Sequence, residues 1–111
     1  MISWIQGRAI DSWGNGAKQG LVLVANGIGY EIQILPRQRN LLSHEEVLSL
    51  WIHQIHREDS ICLHGFIKKE ERDLFRILIT VNGIGAQMAM SLLEKNDFRE
   101  LIQAIIKKDI A

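Results

Sequence analysis

Val81-Asn82-Gly83-Ile84-Gly85 is the stretch that decides how the second half of this 111-residue chain folds. Apolar residues recur at helical spacing on both sides of it, from Glu70 to Thr80 and from Ala86 to Glu94. This pattern predicts two helices joined by a tight hairpin. Two glycines one residue apart let the hairpin backbone adopt positive φ values and leave its amides uncovered.

The predicted hairpin runs directly into the second helix, whose first N–H groups lack partners and favour negative charge. A phosphate could therefore bind there without any lysine. The order of apolar residue, polar residue, glycine, apolar residue and glycine resembles the helix-hairpin-helix motif, which binds the nucleic-acid backbone. The alternative is a plain helical corner in which the glycines only form the turn. The candidate contacts with the DNA backbone are Asn82, Gly83, Ile84, Gly85, Ala86 and Gln87.

The overall composition does not indicate a nucleic-acid partner. Thirteen basic and thirteen acidic residues leave no net charge, so any such binding has to be local. The single cysteine, Cys62, excludes an internal disulfide, fits a reducing compartment and is expected to be a small strand hydrophobe. No apolar run is long enough to span a membrane, and we expect a cytosolic protein.

The first part of the chain alternates between apolar and polar residues, as β-strands do. Asn26-Gly27 is the preferred pair for a type I′ hairpin and predicts antiparallel pairing of the strands beside it. We expect a bulge or a sharp bend at Gly7 and a polar turn from Asp11 to Gly16. Five short strands before any helix predict a small barrel, either an OB-fold or an SH3-like barrel. The predicted strands cover residues 1–10, 21–25, 30–35, 47–55 and 61–66.

After residue 68 the apolar period becomes helical, and Arg72 lies off the apolar stripe. Asp97 and Glu100 form a predicted capping box at the start of a third helix. Trp4 and Trp51 lie among apolar strand residues and are expected in the core, whereas Trp13 is expected to be exposed. The predicted buried face of the first helix consists of Leu74, Phe75, Leu78 and Ile79. That of the second helix consists of Met88, Ala89, Leu92 and Leu93. That of the third helix consists of Phe98, Leu101, Ile102, Ile105 and Ile106.

The sequence offers no catalytic site. His53 and His56 are three residues apart on a predicted strand and should point to opposite faces, and no second cysteine completes a zinc set. The chain has no Walker-type phosphate loop and no supported catalytic pair or triad. We therefore expect no enzymatic activity, no metal and no cofactor.

Two adjacent carboxylates, Glu58 and Asp59, fall in the predicted turn between the last two strands. Such a pair is usually a solvated hairpin tip. In a protein that holds DNA it is an unusual choice, because like charge repels phosphate at short range.

Several segments in the same order resemble the RuvA family, the Holliday-junction-binding subunits of RuvAB branch-migration complexes. The resemblance covers the whole chain, and the ordered set is more specific than any single motif. It includes Met1-Ile2, Gly7, and the stretches Asn26 to Glu31, His53 to Phe66, Glu71 to Phe75 and Val81 to Gly85.

The resemblance implies an α+β fold, with a five-stranded OB-like antiparallel barrel at 1–65 and a partial helix-hairpin-helix domain with the first hairpin only at 66–111. It also implies a homotetramer that carries a four-way DNA junction, with Glu58 and Asp59 as acidic pins at its centre. RuvB, a hexameric ATPase, would be the motor of this DNA helicase complex. Family members commonly have a basic residue where this chain has Gln87, so one phosphate contact is expected to be weaker.

The chain stops at Ala111, about where the second hairpin of the family would begin. The expectation is that the second hairpin, the linker and the RuvB-binding domain are absent from it. The leading hypothesis is a non-catalytic junction-DNA-binding subunit for recombination and repair. The alternative is a truncated oligomerisation or protein-interaction module with little affinity for DNA.

Overall fold

A computed structural model describes residues 1–40 and 47–107 of the chain. Residues 41–46 and 108–111 lie outside that description, including the end of the predicted helical domain. A short 3-10 turn, Pro36–Gln38, follows the third strand. The strands and helices are β1 (Trp4–Asn15), β2 (Lys18–Ala25), β3 (Ile28–Ile34), β4 (Val47–His56), β5 (Ile61–Phe66), α1 (Lys69–Leu78), α2 (Ala86–Lys95) and α3 (Phe98–Lys107).

The five strands form a closed barrel in the order β1-β2-β3-β5-β4, which confirms the α+β fold with an OB-like barrel. The seams β1–β2, β1–β4, β2–β3 and β4–β5 are antiparallel, as predicted. The seam between β3 and β5 is parallel, with Ile32 opposite Leu63. The predicted type I′ hairpin between β2 and β3 is also confirmed, because Asn26 and Gly27 have φ values of 51° and 78°.

β1 is longer than predicted and takes part in two seams. Its first half pairs with β4 and its second half with β2, and Arg8 belongs to both pairings. The irregularity lies between Ala9 and Asp11, not at Gly7. The predicted turn from Asp11 to Gly16 is wrong up to Asn15, because β2 supplies hydrogen-bond partners for this polar segment and extends the strand to Asn15. The turn begins at Gly16, which has a φ of 63°.

The barrel interior is filled by aliphatic side chains, and all three expectations for the tryptophans are wrong. Trp4 is 45% exposed, Trp51 lies half-buried on the outer face, and Trp13 is half-buried rather than exposed. A five-stranded barrel has little interior space, so the large rings lie outside it. The interior residues are Ile5, Leu21, Leu23, Ile32, Ile34, Leu50, Ile52 and Leu63.

α1 packs on β4 and β5 at the outer face of the barrel, α2 packs on α1, and α3 packs on α2. Together they form a second core around Phe66 and Phe75. Met88, predicted on a buried face, is 50% exposed, and α2 buries Met90 instead. In α3 only Leu101 is buried among the described residues, and Ile106 is 74% exposed. The remaining members of this second core are Leu35, Leu74, Leu78, Ile84, Ala86, Ala89, Met90, Leu93 and Leu101.

Candidate nucleic-acid interface

The turn between α1 and α2 is fixed by its own backbone and by one apolar anchor. The amide of Ile84 donates to the carbonyl oxygen of Val81 over 3.1 Å. Gly83 has a φ of 87°, a value that favours glycine. The side chain of Ile84 is buried in the helical core and holds the turn against α1.

Gly85 differs from Gly83 in its backbone. It is the residue before the first turn of α2 and has φ −90° and ψ −179°, an extended conformation open to any residue. The expected positive φ value is therefore found at Gly83 and not at Gly85. A Cβ atom added there would meet no heavy atom within 4 Å. The conformation and packing of the described residues thus give no reason for glycine, whereas its missing side chain leaves the start of α2 open from outside.

The start of α2 is also uncapped. Within the described part of the chain, no side chain accepts a hydrogen bond from its first amides, and its first turn contains no acidic residue. The carbonyl oxygen of Gly85 accepts from the amide of Ala89 at 3.0 Å, so the preceding amides point out of the helix end. The positive end of the helix dipole lies at the same place. This geometry suits an anion.

The six candidate residues do not contribute in the same way. Ile84 and Ala86 have buried side chains, so they offer only backbone groups to a ligand. Asn82 and Gln87 are exposed, as are the two glycines. The carboxamide of Gln87, however, is engaged with Gln33 of β3 through two hydrogen bonds of 3.1 Å.

The two candidate pin residues lie at the tip of the β4–β5 hairpin. The amide of Arg57 donates to the carbonyl oxygen of Ser60 at 2.8 Å and closes the turn. Glu58 and Asp59 occupy the two positions between them and are both exposed. The structure thus presents two carboxylates side by side at the end of a two-stranded projection.

The contacts between α1 and β4 show where the hairpin and the tip lie relative to each other. The guanidinium of Arg72 lies 5.1 Å from the ring centre of Trp51, and the rings of Phe75 and His53 are 5.5 Å apart. The Nε atom of Arg76 donates to Nδ1 of His53 at 3.0 Å. Later residues of α1 contact later residues of β4, so both elements end toward the same side of the molecule. The glycine hairpin, residues 81–85, follows the end of α1, and the acidic tip, Glu58 and Asp59, follows the end of β4. The hairpin and the tip therefore lie toward the same side of the molecule.

A buried carboxylate fixes the start of α1. Glu71 accepts hydrogen bonds from Nε2 of Gln38 at 2.9 Å, from Nη2 of Arg37 at 2.8 Å and from the amide of Lys68 at 3.1 Å. Sequence reasoning identified Glu71 only through the family resemblance and missed Gln38. The glutamate three residues after Lys68, at the start of an apolar-periodic run, was a signal for the capping contact. Nothing local indicated the glutamine.

Arg72 is buried, although it was expected off the buried stripe. Its Nη1 atom donates to the carbonyl oxygen of Ser3 at 3.1 Å, and its Nη2 atom lies 3.0 Å from Oδ1 of Asp73. Its guanidinium lies over the ring of Trp51, an arrangement that arginine adopts readily. The Glu71-Arg72 pair therefore attaches α1 to the barrel and sets the direction in which the hairpin points.

His64 of β5 is a further buried titratable group that packs against α1. It is 2% exposed and stacks on Phe75 with 5.1 Å between ring centres, and neither ring nitrogen has a hydrogen-bond partner in the described part of the chain. Burial, reinforced by His53, Arg57 and Lys18, lowers the pKa of His64 to about 4. The imidazole is therefore neutral near pH 7 and serves as packing.

Within residues 1–40 and 47–107, no three His, Cys, Asp or Glu side chains are grouped in a way that could hold a metal ion. The helices of the same ranges are too short and too polar to cross a membrane.

The comparisons with known proteins cover the whole chain. A family model described as "RuvA N terminal domain" matches residues 1–65. The Holliday junction branch migration complex subunit RuvA of a Prochlorococcus marinus strain is 52% identical over 111 residues, which are 100% of this chain and 50% of that protein. The protein of the same name from Synechococcus sp. (strain CC9311) is 47% identical over 110 residues, with 99% of this chain and 50% of the relative covered. The chain thus spans about half the length of the curated relatives it matches.

Proposed function

Because the chain belongs to the RuvA family, we propose that it recognises four-way DNA junctions as the non-catalytic DNA-binding part of a branch-migration complex. The relatives are named as subunits of such a complex. In this proposal residues 1–65 form the barrel domain and 66–111 a partial helix-hairpin-helix domain. No observation favours the alternative of an oligomerisation module without useful DNA affinity.

The observation that carries the proposal is the open start of α2 at Gly85. Neither its backbone conformation nor its surroundings require a glycine, and its missing side chain exposes uncapped amides. An internal turn would gain from Ser, Asp or Asn at this position, since these residues cap helices best. A phosphate that approaches from outside would instead need the side chain to be absent.

In the proposed contact, the amides around Gly83, Gly85 and Ala86 hold a phosphate of a DNA arm. The contact uses backbone groups, so it is independent of base sequence. It also needs no global positive charge, which agrees with a chain that has no net charge. Branch migration moves the junction through many sequences, so a sequence-independent grip suits the task.

The acidic tip has the opposite role in the proposal. Glu58 and Asp59 repel phosphates and so disfavour a continuous duplex at the place where they lie. In a homotetramer on a four-way junction, four such tips would meet at the crossover while four hairpins hold the arms. RuvB, the ATPase, would supply the force for strand movement.

The substitution Gly85→Asp tests the hairpin contact. Aspartate is a favoured helix cap, so the chain should remain folded with equal or higher stability. Its carboxylate would occupy the amides and repel phosphate. Junction affinity should fall by roughly tenfold or more, because a hydrogen bond to a charged group is worth about 1.5–3 kcal/mol. Gel shifts and calorimetric titration with an immobile four-way junction and a linear duplex measure this effect, and native mass spectrometry reports whether the chain is a tetramer.

The matched control is Gln103→Asp, which makes the same charge change on an exposed position of α3. It should leave junction affinity within about twofold of the wild-type value, since long-range charge effects are screened by salt. A folded Gly85→Asp variant that binds the junction as tightly as the wild-type chain would rule out the phosphate contact at α2.

Neutralising the tip with Glu58→Gln and Asp59→Asn tests the repulsion. Binding to duplex and junction should both tighten by a few-fold, and the preference for the junction should shrink, because an unfavourable term is removed without changing an attractive one. The control with the same charge change is Glu70→Gln with Glu100→Gln, at two exposed positions in the first turns of α1 and α3. If both affinities stay level across a salt series, the tip is only a solvated turn.

A further inference from the structure

α2 is attached to the barrel side at its two ends. In its first turn, Gln87 exchanges two hydrogen bonds with Gln33 of β3, and each Nε2 atom donates to the other Oε1 atom over 3.1 Å. In its last turn, Oε1 of Glu94 accepts a hydrogen bond from the backbone amide of Arg37 at 3.0 Å. The two helix residues are seven positions apart and lie on the same face.

The middle of that face packs on the barrel only in part. Four residues of α2 are buried in the helical core beside Leu35 and Phe66, namely Ala86, Ala89, Met90 and Leu93. Next to these contacts, a cavity of about 260 Å³ lies between Ile34 and Pro36 on the barrel side and Met90 and Ser91 on α2. Over this span the polar links at the two ends of the helix supplement the apolar packing in fixing its tilt.

We propose that Gln33 and Gln87 are positioning residues that hold the first turn of α2, and with it the hairpin amides, at a fixed angle to the barrel. The inference rests on the proposed phosphate contact at the hairpin. It assigns to Gln87 a role other than a weakened DNA contact, since one donor and the acceptor of its carboxamide are engaged with Gln33.

A fixed angle matters because two parts of the molecule must meet the same junction. The hairpin binds an arm while the acidic tip lies at the crossover, and both follow from elements that end on the same side. If α2 could tilt over the cavity, each binding event would have to order it first. Pre-organisation removes that entropic cost and so raises affinity without adding a contact.

A double-mutant cycle tests the inference. Gln33→Ala and Gln87→Ala should each lower junction affinity by about threefold to tenfold, and the double variant should be no weaker than the weaker single variant, because both changes remove the same pair. The slope of log affinity against log salt should stay at the wild-type value in all three, because no phosphate contact is lost. Loss of a direct contact would lower that slope by about 0.9 for each phosphate. Gln6→Ala, an exposed glutamine on β1, serves as the control and should bind like the wild-type chain.

Hydrogen exchange without DNA gives a second readout. The amide of Ala89, which donates to Gly85, should exchange faster in both single variants and to the same extent, but not in Gln6→Ala. Unchanged exchange and affinity in Gln33→Ala would overturn the inference. So would additive losses in the double variant, or a reduced salt slope in Gln87→Ala alone, which would make Gln87 a direct contact. A wild-type chain that does not bind junctions would instead defeat the proposed function, and the exchange experiment would still decide whether the glutamine pair holds α2.

Discussion

The side chains buried on the two faces of the barrel sheet differ in chemical character. Inside the barrel the buried side chains are aliphatic throughout. Outside it, under the helices, Phe66 and Phe75 pack beside four buried polar residues, Gln38, His64, Glu71 and Arg72. A closed barrel has little room for polar groups with their partners. In the outer seam, the layer between the helices and the barrel, Gln38, Glu71 and Arg72 form hydrogen bonds with neighbouring segments, whereas His64 packs without a partner among the described residues. Stability should therefore depend on volume in the first interior and on partners in the second.

The largest expected effect concerns volume inside the barrel. Gly65 lies among Ile32, Leu50 and Ile52, and a Cβ atom there would come within 2.6 Å of Cγ2 of Ile32. Gly65→Val should destabilise the fold by about 3 kcal/mol or more, since extra carbon atoms in a filled core force backbone shifts. Urea unfolding followed by circular dichroism measures the change.

The control for this substitution is Gly29→Val, at an exposed position of β3 where the nearest atom to a new Cβ would be Cγ1 of Val22 at 3.1 Å. Its effect should stay below about 1 kcal/mol, as for most surface substitutions. Equal effects of the two substitutions would contradict the view that the barrel interior is limited by volume.

An effect of similar size is expected from His64 in the outer seam. The pKa of His64 is about 4 in the folded chain, compared with an ordinary value of 6.5. As the pH falls, the unfolded chain therefore binds a proton at this residue at a higher pH than the folded chain does. The stability present above pH 6.5 should decrease between pH 6.5 and 4, by about 3 kcal/mol in total. Urea titrations at a series of pH values should show this slope.

The substitution His64→Phe should remove most of that slope and keep the stacking on Phe75. A smaller slope in the same direction should remain, because burial and the neighbouring Arg76 and Arg72 also lower the pKa of His53. If the slope is the same with and without His64, acid sensitivity arises elsewhere in the chain.

The smallest of the three effects concerns a lost partner. Glu71→Ala leaves Nε2 of Gln38 and the amide of Lys68 without their acceptor, and it should destabilise the fold by about 2 kcal/mol. The ion pair with Arg37 adds little to this figure, because that arginine side chain is 45% exposed. Thermal and urea unfolding measure the loss, with Glu70→Ala as the control on the exposed face of the same helix turn. If both substitutions have the same effect, the buried hydrogen bonds of the seam contribute nothing.

The same contrast explains which parts of the fold could be predicted from the sequence. Alternation placed Ile32 and Ile34 on one face of β3, and Asn26-Gly27 fixed the hairpin between β2 and β3, because both signals are local. β4 has apolar residues on both faces, and alternation cannot tell which face lies inside a barrel and which lies under a helix. Trp51 was misplaced for that reason.

For the candidate site, the sequence located the hairpin but not the separate roles within it. The spacing of Gly83 and Gly85 marks a turn, yet only the backbone angles distinguish the glycine that the turn needs from the one that it does not. The pairing of Gln33 with Gln87 joins residues 54 positions apart and has no local signal. Charge, periodicity and turn chemistry carry no information about such tertiary contacts.

The position of β5 in the sheet affects how the chain can be made. Strands β1 to β3 pair with their neighbours in sequence, and β4 returns to β1. The gap between β3 and β4 is filled by β5, the last of the described strands to be synthesised. Until residue 66 has left the ribosome, both of those strands have an unpaired edge, and such edges recruit strands from other chains. Closure is also a non-local event, which folding theory associates with slow steps. The period of greatest risk of aggregation for this protein therefore precedes the synthesis of its helices.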